Sequence, residues 1–151
     1  MGETNADKAE ARALLLAGDR EGALLAYEAL RARSPADVGV LDALGFLYFM
    51  AGRPADAEEC CRQSIHLSPD NFYAHKGLGL CLARLGQVDD GIAALVRSIE
   101  INPRYFDSHY DLGIVLSELG RWDEATRCFE RALELDPSRE PQVRRVLAQR
   151  P

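Results

Sequence analysis

Nowhere does the chain hold an apolar run able to cross a bilayer. Its longest stretch free of charged residues, Ala43 to Gly52, is ten residues long, about half of a membrane span. Basic residues are in deficit: 18 Lys and Arg stand against 24 Asp and Glu, a net charge of -6. That balance argues against an electrostatic hold on phosphate backbones, so nucleic acid is not an expected partner. The four cysteines, Cys60, Cys61, Cys81 and Cys128, include no CxxC pair and no histidine at zinc spacing. They are expected to be small apolar packers in a reducing compartment, with a Cys61–Cys81 bridge left open. The opening residues, Met1 to Lys8, lack the basic and apolar regions of a secretory leader, so a cytoplasmic location is expected.

Catalytic apparatus is missing as well. There is no Gly-rich phosphate loop, nucleophile elbow or HExxH. Asp89 and Asp90 are neighbours on a helix and point apart, so they do not form an acid/base dyad. His75 and His109 are 34 residues apart and occupy one position in successive units. They should stack along the chain rather than converge on a metal, and His66 is a polar rim residue. Neither an enzyme nor a cofactor or metal site is expected.

What the chain has in quantity is repetition. Pro35, Pro69, Pro103 and Pro137 are 34 residues apart, as are Gly18, Gly52, Gly86 and Gly120, and Leu44-Gly45, Leu78-Gly79 and Leu112-Gly113. Equal spacing of helix breakers predicts units of two antiparallel helices, the first ended by the glycine and the second by the proline. Such helices are marginal alone, so stacking must stabilise them. Leu44, Leu78 and Leu112, with Ala57, Ala125, Ile65, Ile99 and Leu133, are the expected core.

At these residues the sequence resembles the tetratricopeptide family, whose 34-residue unit carries W-x2-L-G-x2-Y, A-x3-F and P. The last copy has His109, Leu112-Gly113, Leu116, Ala125, Phe129 and Pro137 in those places, and the resemblance covers residues 4 to 137. It implies an all-α fold: a right-handed solenoid of four helix-turn-helix units (4–37, 38–71, 72–105, 106–137) with a C-terminal capping helix over 138–151. The first unit is degenerate, with Glu10-Ala11 for Leu-Gly, and its first helix is expected to be polar on its open side. Residues 138–151 hold four Arg and one Glu, a charge of +3 that leaves -9 on the rest; they suit a solvated last helix.

Such a fold implies binding rather than chemistry. The helix Leu41 to Met50 is apolar nearly all round, more than one buried stripe requires. Family geometry puts Phe46, Phe49 and Met50 on the concave wall, joined by Tyr73, Leu80 and Ala83 from the third unit and Tyr110 and Ile114 from the fourth. The resulting groove is expected to bind a partner peptide or helix. Around it fall Lys8, Arg12, Lys76 and Arg84, then Asp42, Asp107, Asp111 and Glu118, an arrangement that suits a ligand of opposite polarity along its length. A clamp for terminal carboxylates, known in the family, is not expected, because Ala43, Tyr73 and Gly77 stand where polar and basic groups are needed. The alternatives are a self-assembling subunit, a homo-oligomer whose terminal helix fills a neighbour's groove, and the regulatory arm of a larger enzyme or secretion assembly.

Overall fold

The structure, a computed structural model, describes residues 2–151, with side chains from Asn5 onward. Four helix pairs follow one another: α1 (Gly2–Leu16) and α2 (Arg20–Arg33), α3 (Val38–Met50) and α4 (Pro54–Leu67), α5 (Phe72–Arg84) and α6 (Val88–Ile101), α7 (Phe106–Glu118) and α8 (Trp122–Leu135). A 3-10 turn, Pro137–Arg139, leads into α9 (Glu140–Leu147). The described residues contain no strand.

The breakers act as their chemistry requires. Gly18, Gly52, Gly86 and Gly120 have φ of 84°, 73°, 85° and 74°, a left-handed conformation that a Cβ would strain. Each lets the residue after it turn back to the ending helix: Arg53 N–H donates to Tyr48 O at 2.9 Å, and Arg121 N–H to Leu116 O at 2.9 Å. Three helix starts are capped by side chains, Asp19 for α2, Asp37 for α3 and Asn71 for α5. The second helices of later pairs lack such caps and carry acidic first turns instead, Asp56, Asp89/Asp90 and Asp123/Glu124, which meet the positive helix end.

Packing sets the curvature. Successive first helices α3, α5 and α7 touch directly, whereas successive second helices meet chiefly through the first helix lying between them. The row therefore bends toward its first-helix side and presents α3, α5 and α7 as one inner wall. Among the described residues helix α1 packs chiefly on α2 and approaches α3 less closely than α3, α5 and α7 approach one another, so the wall starts at α3.

The core follows the 34-residue period. Leu44, Leu78 and Leu112 are buried, as are Ala57, Ala125 and Phe129, while Ile65, Ile99 and Leu133 are only partly buried at its edges. At the C-terminal end Val143 of α9 is fully buried and Val146 and Leu147 pack beside it. The open N-terminal end departs from expectation. Ala6, Glu10 and Ala13 are exposed where their periodic equivalents Val40, Leu44 and Leu47 are buried, so that side is made small rather than uniformly polar.

His75 and His109 have a use that the sequence did not announce. Each donates from Nε2 to the carbonyl of the preceding unit's proline, His75 to Pro69 O at 2.8 Å and His109 to Pro103 O at 2.9 Å. The rings thus fasten the loop between units to the helix that follows it.

Candidate functional site

Two hollows lie side by side on the inner wall. The first is a slot between α3 and α5, with Asp42, Gly45, Phe46 and Phe49 on one side and Tyr73, Ala74, Lys76, Gly77 and Leu80 on the other. It exists because Gly45 and Gly77 have no side chains. Cβ atoms there would stand 3.2 Å and 2.9 Å from Cys61 Sγ, which the slot reaches. Its volume is about 30 Å³, room for a water or two and no more.

The second hollow lies toward the C-terminal ends of α3, α5 and α7, lined by Phe49, Leu80, Ala83, Arg84, Ile114, Val115 and Glu118, with a volume of about 140 Å³. A cavity of roughly 150 Å³ accepts a benzene-sized group, so one apolar side chain fits. Phe49 and Leu80 line both hollows, which are therefore neighbours. Arg84 lies over the Phe49 ring at 5.4 Å, and Phe46 stands 37% exposed at the slot's mouth.

Six of the eight apolar residues expected on the wall are therefore together: Phe46, Phe49, Tyr73, Leu80, Ala83 and Ile114. The other two lie elsewhere. Met50 is in a separate hollow with Arg20, Glu21, Leu24, Leu47 and Ala51, because the last turn of α3 leans on α2. Tyr110 lines neither hollow; its ring stacks on Phe106 at 5.6 Å and tilts against Phe129 at 5.7 Å.

Half of the expected groove charges, Lys8, Lys76, Asp107 and Asp111, are taken up in ion pairs within the protein. Lys8 pairs with Asp37, and with Arg12 it lines a hollow beside Tyr27 and Val40, away from the wall. Lys76 pairs with Asp111 at 3.5 Å, with side chains only 14% and 18% exposed, and lies 5.1 Å from the Tyr73 ring. Asp107 is met by Arg139 at 3.7 Å, and Arg139 also covers the Phe106 ring. A wall split into basic and acidic halves, suited to a ligand of opposite polarity, is not what forms; cation and anion cancel across unit boundaries. Burial pushes the Asp111 carboxyl up to about 6 in spite of Lys76, because desolvation outweighs the pair.

Asp42 is different. Ser64 Oγ donates to its Oδ1 at 2.6 Å, and Asn71 Nδ2 donates to its carboxylate at 2.9 and 3.1 Å. Burial first, and then the charge of Asp42, push the Tyr73 phenol up to about 12. Sequence reasoning missed Ser64, which is buried, and Asn71, which is partly buried, 22 and 29 residues from Asp42. No group of three or more potential metal ligands occurs among the described residues. All four cysteines are free.

Comparison with known proteins agrees with this architecture. The tetratricopeptide repeat profile matches residues 106–139, and a second profile of the same description matches 8–72 and 43–105. The chain belongs to the tetratricopeptide repeat family. No curated protein matches this tetratricopeptide repeat chain. Among solved structures, a MamA protein is 30% identical over 91% of this chain and 75% of its own, with a TM-score of 0.73. TTC0263, a thermophilic TPR protein of Thermus thermophilus, is 21% identical over 89% of this chain and 75% of its own, with a TM-score of 0.83. YrrB, described as a TPR protein with an unusual peptide-binding site, is 17% identical over 89% of this chain and 69% of its own, with a TM-score of 0.72. No helix among the described residues is long and apolar enough to cross a membrane.

Proposed function

We propose that this tetratricopeptide repeat protein is a non-enzymatic interaction scaffold that takes a partner peptide or helix along the inner wall of α3, α5 and α7. One observation carries the reading: an apolar slot and, beside it across Phe49 and Leu80, a hollow large enough for a side chain with apolar walls and an Arg84/Glu118 rim, bordered by the exposed Phe46 ring. An apolar wall with sparse polar groups is what peptide grooves use for affinity. The peptide-binding site described for YrrB supports the same use of the fold. Four free cysteines, three of them buried, fit action in the cytoplasm.

The test compares capture from lysate by the wild type and by Phe46→Glu, with circular dichroism and melting recorded on both. Bound protein that disappears with the variant while the melting curve stays in place is the expected result. Unchanged capture would take the wall out of use.

A further inference from the structure

The inner wall also carries a charge preference. Lys76 is taken by Asp111 and Arg139 by Asp107, while Arg84 and Glu118, of opposite sign, line the same hollow without an ion pair among the described residues. What remains is Asp42, at the apolar slot, with no cation within 4.0 Å among the described residues. Neutral donors hold it instead: Ser64, fully buried, and Asn71, which also donates to Ser64 Oγ at 3.0 Å. A carboxylate fixed by neutral groups keeps its full charge and is already oriented. Next to it, Gly45 and Gly77 leave the slot open down to Cys61.

We infer that Asp42 selects the partner: a peptide that seats an aliphatic or aromatic side chain in the hollow of Leu80, Ala83 and Ile114 while bringing a lysine or arginine to Asp42. Charge complementarity decides this occupant, since the paired and opposed charges of the wall cancel and Asp42 leaves it net negative, which an acidic peptide would meet with its own sign. The inference rests on the groove reading above and adds the chemistry of the ligand.

The experiment is a displayed library of random twelve-residue peptides, mixed with tiled segments of this chain, selected on immobilised wild type, Asp42→Asn and Phe46→Glu. Survivors held by the wild type and lost on Phe46→Glu are sequenced. Lys and Arg should exceed Asp and Glu among them by roughly two- to fivefold, the range of an exposed ion pair, and the excess should vanish on Asp42→Asn. Asparagine still accepts from Ser64 and Asn71, so the fold is preserved, and a melting curve confirms it. A cation excess that persists on Asp42→Asn, an acidic excess, or dominance by the chain's own segments overturns the inference. If no survivor depends on Phe46, the groove reading itself fails.

Discussion

Alanine replacement at Gly45, Gly79 and Gly113 should separate three sites that the repeat makes equivalent. In each case the new methyl group gains about 1 kcal/mol of helix propensity; the sites differ in what the methyl meets. At Gly79 a Cβ would stand 2.7 Å from the backbone oxygen of Gly91, 2.6 Å from Leu95 Cγ and 3.1 Å from Leu95 N. Backbone does not yield, so α5 and α6 must move apart. With overpacking at the upper end of about 1–3 kcal/mol, because the obstacle is backbone, Gly79→Ala should lose up to about 2 kcal/mol net. At Gly113 the methyl meets the fully buried Phe129 ring at 2.6 to 2.9 Å, and a loss of the same order follows. At Gly45 the nearest atom is the thiol of Cys61 at 3.2 Å, with backbone no nearer than 3.8 Å. A small shift of that side chain suffices, so Gly45→Ala should change stability by less than about 0.5 kcal/mol. Urea denaturation followed by circular dichroism reads the midpoint for each variant; an unchanged slope shows that the transition keeps its character. Equal losses at Gly45 and Gly79, or a larger one at Gly45, would refute the assignment of close approach to the α5–α6 pair.

Three further predictions concern the pairings and the core. Asp111 has its folded value raised from 3.8 to about 6, so protonation favours the folded state: the contribution is full below the unfolded value and is lost as pH rises through about 6. Relative to the wild type, Asp111→Asn should therefore gain roughly 3 kcal/mol between pH 3.5 and pH 8, read from urea midpoints across that range, and parallel profiles would contradict it. His109→Ala removes the N–H that holds Pro103 O, with His109 only 8% exposed, and should cost about 1 kcal/mol by thermal melting; no change would deny the fastening role. Leu112→Ala, at a position buried to 8% exposure, should cost roughly 2–5 kcal/mol. A wild-type urea midpoint in that variant would place Leu112 outside the core.

How much the sequence disclosed depends on the range of the interaction. Helix ends were legible because Gly52 and Pro69 act on the backbone beside them, whatever the rest of the chain does. Six wall residues were legible because family geometry assigns each register a face. Met50 and Tyr110 were misplaced because their surroundings depend on how neighbouring helices lean, α3 on α2 and α7 on α8. The groove charges were misjudged for a related reason: Lys76 finds Asp111 across a unit boundary and Lys8 finds Asp37 at the far end of its own unit, and composition by register does not reveal reach. The Gly79–Gly91 contact was half visible, since Gly91 has no glycine counterpart at Ala57 or Ala125.

Helix α1 packs far more on α2 than on α3, which sets the start of the chain apart mechanically. Its ties to the rest run through α2, the Lys8–Asp37 pair and the small side chain of Ala11, so fraying of α1 leaves most of the packing around Phe46, Leu80 and Ile114 in place. Amide exchange in α1 should run faster than in α5 and α7, and the docking surface should outlive the loss of its leading hairpin.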